Sequence, residues 1–191
     1  MSQERIVREL LGGWPVMMVA CGCQHTLVLT VGGLWTCGKG EHGVLGHGDE
    51  ADKLVLTQVA AECFKGNAQI VMVAAGAGHS AAVGTEGSVW TWGMGGCLGD
   101  MEDRHFPTLL AGTAFDKGKS ALVAVGGCHT MVVLNKGELW AWGKNSNGQL
   151  GIVGLEPVQI EPTLVGAKDV FGGSPVHMAA CGYEHTLIVT E

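Results

Sequence analysis

Hydrophobic positions along this chain come in short unbroken runs rather than in an alternating or helical rhythm. Leu27-Val28-Leu29, Ala81-Ala82-Val83, Met131-Val132-Val133 and Leu187-Ile188-Val189 are each apolar on consecutive positions. Alternation would mark a strand with one wet face, whereas a continuous run needs cover on both faces. Gly33, Gly87 and Gly137 fall between adjacent strand candidates, where a tight turn favours positive φ. The pairs Trp90/Trp92 and Trp140/Trp142 are two residues apart, so each pair shares one face of its strand. Only Glu4–Leu11 hints at helix, as a short turn. The pattern predicts short strands in sheets that are themselves flanked by other sheets.

These runs recur in a fixed frame. Val19-Ala20-Cys21-Gly22-Cys23-Gln24-His25-Thr26 returns as Val73-Ala74-Ala75-Gly76-Ala77-Gly78-His79-Ser80, as Val123-Ala124-Val125-Gly126-Gly127-Cys128-His129-Thr130, and as Ala179-Ala180-Cys181-Gly182-Tyr183-Glu184-His185-Thr186. The steps between the histidines are 54, 50 and 56 residues. Behind the first three comes a tryptophan block: Leu34-Trp35-Thr36-Cys37-Gly38, Val89-Trp90-Thr91-Trp92-Gly93 and Leu139-Trp140-Ala141-Trp142-Gly143. A Leu-Gly pair follows (Leu45-Gly46, Leu98-Gly99, Leu150-Gly151), and then Pro107-Thr108-Leu109-Leu110 and Pro162-Thr163-Leu164-Val165, degenerate at Leu56-Thr57-Gln58-Val59. Four blocks in constant order are not an accident of composition. A period near 50 with about four strands per unit lies in the range of propeller repeats, whose neighbouring blades cover both faces of each sheet. The reading is all-β, a single repeat domain over 1–191. Its units lie at about 16–66, 67–118, 119–172 and a partial 173–191, an incomplete arc of roughly 3.5 four-stranded blades.

Composition narrows the partners. Glycine supplies 32 of 191 residues without the third-residue period of collagen, and proline only 5, which suits turns between strands. Lys and Arg total 11 with no basic cluster, and the net charge is −7, so the electrostatic footprint of nucleic-acid binding is missing. No apolar run approaches the ~20 residues of a membrane span, and the opening segment does not read as a signal peptide. Seven cysteines, odd in number and without paired spacings, suit a reducing compartment, cytoplasm or nucleus, better than a disulfide framework.

The blocks resemble the regulator of chromosome condensation repeat family, whose units read roughly as a strand, C-G-x-x-H-T, G-x-[VL]-[WY]-x-W-G, N-x-x-G-Q-L-G and a following Pro. The third unit matches most fully, in Gly126, His129-Thr130, Gly137, Leu139-Trp140-Ala141-Trp142-Gly143 and Lys144-Asn145-Ser146-Asn147-Gly148-Gln149-Leu150-Gly151. The resemblance runs from about Val16 to Glu191 and implies a propeller of around seven repeats that docks proteins, a Ran-like small GTPase among them. This chain carries about half that number. An open arc exposes apolar blade faces, so it is expected to be part of a longer chain or to complete a ring with a second copy. A light-absorbing variant in the family reads G-W-R-H-T. The same slots here hold Cys23-Gln24, Ala77-Gly78, Gly127-Cys128 and Tyr183-Glu184, which argues against photoreception. Guanine-nucleotide exchange, the alternative function, calls for a full ring face and an inserted wedge hairpin, and no such insertion is present.

Bond chemistry finds little support. Cys21-x-Cys23-x-His25, Cys128-His129 and Cys181-x3-His185 evoke zinc, but repeat phasing puts the histidines on different blades and the cysteines shift between units. Neither a metal nor a cofactor is expected, and no catalytic residue is assigned. Each phased histidine, with its glycine (Gly22/His25, Gly76/His79, Gly126/His129, Gly182/His185), is expected to bond a turn of its blade. Trp35, Trp90, Trp92, Trp140 and Trp142 are expected in the core. The unphased His42, His47, His105 and His177 have no recognisable partner. Gly93-Met94-Gly95-Gly96 reads as turn glycines, because a phosphate cradle must open a helix and none is expected there. What remains are variable loops on a rigid scaffold: Gly46–Lys53 with His47, Asp49, Glu50 and Asp52, Asp100–His105 with Asp100, Glu102, Asp103 and Arg104, and Gly151–Glu161. Two of them are acidic and suit a basic protein surface. The expected function is a non-catalytic protein-docking module.

Overall fold

The computed structural model describes residues 9, 11–64, 68–99, 102–110, 119–152, 156–166 and 171–191, with no side-chain description for residue 121. The Glu4–Leu11 turn falls largely outside them, as does Asp100. The chain is all-β and forms consecutive antiparallel meanders, the blades of a propeller arc. Strands β1 (Val16–Cys21), β2 (His25–Thr30), β3 (Gly33–Gly38) and β4 (Lys53–Gln58) make the first blade in chain order. β5 (Ile70–Ala75), β6 (His79–Gly84), β7 (Val89–Gly93) and β8 (Arg104–Leu109) make the second. β9 (Ser120–Val125), β10 (His129–Leu134), β11 (Leu139–Lys144) and β12 (Val158–Leu164) make the third, and β13 (Val176–Cys181) pairs with β14 (Thr186–Thr190) as a two-stranded fourth.

The unbroken apolar runs become the second strand of each blade, and the reason is burial on both faces. β6 and β10 are buried at every position. Packing occurs between sheets rather than within any one of them. Leu27, Leu29 and Leu34 of the first blade meet Val73, Trp90 and Trp92 of the second. Val83 and Val89 meet Val123, Val132 and Trp142, and Met131, Leu139 and Leu150 meet Val176 and Ala179. Trp90, Trp92 and Trp142 are fully buried, whereas Trp35 and Trp140 are half-buried. Phe64 sets its ring edge against Trp90, with centroids 5.6 Å apart. The same strand types lose their cover at the two ends of the described arc: Met17 and Val19 on β1 are each 52% exposed, and Leu187 and Val189 on β14 are 66% and 54% exposed.

Two local features depart from the sequence reading. The segment behind Gly93 is not all turn, because Gly95–Leu98 forms a single helical turn, α1, closed by Gly99 in the left-handed region at φ +76°. The first strand of all four blades also carries a bulge, at Val16/Met18, Ile70/Met72, Ser120/Leu122 and Val176/Met178. In the first two of these blades the methionine sulfur past the bulge receives an N–H from the next blade, Val73 N to Met18 Sδ (3.5 Å) and Val123 N to Met72 Sδ (3.4 Å).

Candidate functional site

Pairing of His25 with Gly38, His79 with Gly93 and His129 with Gly143 puts the Gly-x-x-His turns and the long loops before β4, β8 and β12 at the same end of the blades. The turns converge. Cys21-Gly22-Cys23, Ala75-Gly76-Ala77, Val125-Gly126-Gly127 and Cys181-Gly182-Tyr183 together line one shallow cleft of about 260 Å³.

Each phased histidine bonds its own turn through its backbone carbonyl, which accepts the amide of Gly22, Gly76, Gly126 or Gly182, while the rings of the first three reach the following blade. His25 Nε2 lies 2.9 Å from Ser80 Oγ, His79 Nε2 2.8 Å from Thr130 Oγ1, and His129 Nε2 3.0 Å from Thr186 Oγ1. In each case the hydroxyl belongs to the residue just after the next blade's histidine. Ser80 Oγ in turn donates to Val44 O (2.9 Å), and Thr186 Oγ1 to Gln149 O (2.8 Å). A hydroxyl has one proton, so Ser80 and Thr186 accept from His25 and His129, which fixes the Nε2–H tautomer in both. The loop before the fourth strand is thereby tied to the next blade. Backbone bonds run parallel to this chain, from Cys23 N to Gly76 O (3.1 Å), Ala77 N to Gly126 O (3.3 Å) and Gly127 N to Tyr183 O (3.0 Å). Burial pushes His25 and His129 down to about 4 and His79, which also feels its two neighbouring histidines, to about 3, so all three rings are neutral at pH 7. His185 stacks on Gly182 and has no hydroxyl partner among the described residues.

The loop residues divide into those that hold the loop and those that face the neighbour. His47 turns inward: Thr36 Oγ1 donates to Leu45 O and accepts from His47 Nε2, both at 2.9 Å. Asp52 accepts Gly40 N (3.0 Å), and Asp49 caps Ala51 N (3.1 Å) beside Lys53. Glu50 and Asp103, by contrast, meet histidines that the sequence left without partners. His42 Nδ1 lies 2.7 Å from Asp103 Oδ2, and His105 Nε2 lies 3.2 Å from Glu50 Oε1. Each blade thus lends a histidine to the other's carboxylate. Asp103 Oδ1 also accepts the Gly95 amide of α1 at 2.8 Å. Burial raises the pKa of Asp103, but the Gly95 amide and the His42 and His105 rings outweigh it and hold the carboxyl below its ordinary range. His177 pairs with Glu191 at 3.0 Å. Glu102 is exposed, and Arg104 begins β8.

The cysteines form no catalytic constellation among the described residues. Cys97 on α1 and Cys128 in the turn before β10 form a disulfide between the second and third blades, where the odd cysteine count and the lack of paired spacings had pointed away from disulfides. Burial raises the Cys37 and Cys63 thiols and pushes Cys181 up to about 12, the reverse of an activated nucleophile.

Known proteins share this architecture. Over 114 residues the chain is 39% identical to the Arabidopsis thaliana protein "Ultraviolet-B receptor UVR8", covering 57% of this chain and 25% of that one. Over 86 residues it is 41% identical to the Mus musculus "Secretion-regulating guanine nucleotide exchange factor", covering 44% of this chain and 18% of that one. Prp20p from Saccharomyces cerevisiae, solved in a study of its binding to Gsp1p and histones, superposes with a TM-score of 0.80 at 21% identity over 92% of this chain and 43% of that one. The chain therefore spans a quarter or less of these two sequence relatives and under half of the solved propeller. The profile of the Regulator of chromosome condensation (RCC1) repeat matches residues 31–83 and 136–189, and a second profile of that repeat matches 70–97 and 121–149. With more than half its length matched in phase with the observed blades, the chain belongs to the regulator of chromosome condensation (RCC1) repeat family.

Proposed function

We propose that the chain is a non-catalytic docking segment, in the cytoplasm or nucleus, whose loop face binds a basic protein surface. One observation carries this reading. The loops before β4 and β8 are cross-tied by backbone and side-chain bonds, yet keep Asp49, Glu50, Glu102 and Asp103 on the solvent side of a rigid face. Complementary charge on such a face accelerates encounter and selects partners. Prp20p was studied with histones, which makes core histones a reasonable basic probe. Fluorescence anisotropy should show histone binding that weakens with salt and falls at least about threefold in the Asp49→Asn/Glu102→Gln double variant. Binding indifferent to both would overturn the reading. The alternative, nucleotide exchange on a Ran-like GTPase, draws on the exchange-factor relative and on Prp20p's study with Gsp1p. Acceleration of nucleotide release by the chain would favour it.

We further propose that additional blades cover the two open faces, from a longer chain or a second copy. The exposed Met17, Val19, Leu187 and Val189 and the unpartnered His185 support this. Light scattering of the isolated 19.8 kDa chain should show self-association that rises with concentration, and a monomer over the whole range would count against it.

A further inference from the structure

Where the loops of the first two blades meet, ligand atoms converge. A carboxylate oxygen of Glu50, one of Asp103 and a ring nitrogen of His105 lie within 4.8 Å of one another. We propose that these three residues bind a divalent cation of the Zn²⁺ type. The proposal stands apart from the docking reading, since it needs no protein partner.

Three observations support it. First, His105 Nε2 is itself shielded from solvent, although the side chain is 38% exposed, and it faces Glu50 Oε1 at 3.2 Å without the alignment of a hydrogen bond, which leaves this nitrogen without a hydrogen-bond partner among the described residues. Second, the set is braced from behind. Asp103 is held by the Gly95 amide on one oxygen and by His42 Nδ1 on the other, while His105 O accepts Gly48 N at 2.9 Å. Hydrogen-bonded carboxylates of this kind are what orient ligands in metal sites. Third, His42 adopts φ 60° and ψ 12°, the only non-glycine residue with positive φ among those described, and this backbone carries its ring to Asp103. Left-handed conformations in residues other than glycine carry a cost and collect at functional positions.

The donor set selects the ion class. One imidazole with two carboxylates suits Zn²⁺ and its first-row neighbours, whereas Mg²⁺ and Ca²⁺ prefer oxygen alone and Cu(I) prefers sulfur. Bonds of roughly 2.0–2.2 Å require the ligands to close by about an ångström. Glu50 is an exposed side chain and has the freedom to do so, while Asp103 stays held by its two hydrogen bonds.

Cobalt(II) titration of the full chain, stripped of metal with a chelator, tests the proposal. One Co²⁺ should bind per chain, with visible bands of nitrogen–oxygen ligation and no near-ultraviolet thiolate charge-transfer band, and Zn²⁺ should displace it. Glu50→Gln and His105→Ala should each weaken affinity at least about tenfold, and His42→Ala by a smaller factor, as expected for a positioning residue. The Cys21→Ser/Cys23→Ser variant should bind as the parent does, which separates this site from the exposed thiols. Glu50→Gln is isosteric and exposed, so it keeps the test valid if His105→Ala fails to fold. A thiolate band, no binding, or unchanged affinity in Glu50→Gln would overturn the proposal.

Discussion

Equilibrium unfolding by urea should show a stability plateau above about pH 7.5 and a steep loss as the pH falls from about 6.5 towards 4. The sign follows from burial. An unfolded chain binds protons on its histidines near 6.5, whereas the folded blades hold His25 and His129 down to about 4 and His79 to about 3. Between those values the unfolded state binds more protons, so acid favours it. Below the folded values both states are protonated and the histidine contribution stops changing. Each tenfold loss of proton affinity on folding is worth about 1.4 kcal/mol, so each ring contributes on the order of 3 kcal/mol across the window. The three together rival the roughly 5–15 kcal/mol by which domains of this size are stable. Unfolding should therefore set in near pH 5, before the folded rings can titrate. The structural reason is that each Nε2 already has its hydroxyl, so an added proton would gain no partner in a closed space: His79 Nδ1 and His129 Nδ1 are both buried without one. Stability that stays flat from pH 7.5 to 5 would show that these rings are open to water or already paired.

The sequence carried the strands and their packing but not what crosses between blades. Runs such as Ala81-Ala82-Val83 are legible because burial on both faces leaves no room for alternation, and the four blocks repeat the solution in register. The histidine bonds span 55, 51 and 57 residues, about one repeat. The hydroxyls were visible as Thr26, Ser80, Thr130 and Thr186, each just after a histidine. Assigning each histidine to the next unit's hydroxyl requires knowing that adjacent repeats are adjacent in space at that height, which a linear string does not state. The loop residues failed differently. Glu50 and Asp103 were picked out by charge, but their partners His105 and His42 lie 55 and 61 positions away in segments that do not repeat. Without phase there was no frame in which to align them. Local propensity misled once, at Gly95–Leu98: the glycines that flank and open this turn argue against helix, and the Asp103 carboxylate on the Gly95 amide helps to hold it.

Replacing Gly76 with alanine should destabilise the protein by about 3 kcal/mol or more, although glycine-to-alanine changes commonly stabilise by about 0.4–1 kcal/mol through the unfolded chain. The sign turns on what a Cβ would meet. Gly76 does not have positive φ, so its own backbone would tolerate a side chain. A Cβ there would press on the Gly126 carbonyl oxygen and come within 2.6 Å of Val125 Cγ1, both on the next blade. A backbone carbonyl cannot swing aside as a side chain can. The blades would have to spread, and Ala77 N to Gly126 O and His79 to Thr130 lie in the path of that movement. Gly22 faces the same obstacle, its Cβ 2.5 Å from Gly76 O, and Gly126 would lie 2.7 Å from Gly182 O, so the clash repeats along the arc. Gly96 is the matched control. It lies in a helical turn with nothing within 4 Å of its Cβ position, and Gly96→Ala should raise stability by roughly 0.5–1 kcal/mol. The two variants remove the same conformational freedom from the unfolded chain, so the difference between their urea midpoints isolates the contact at the inner turns. Equal midpoints would mean that the blades do not meet backbone to backbone at these glycines, and the reason for glycine in the repeated turn would have to lie elsewhere.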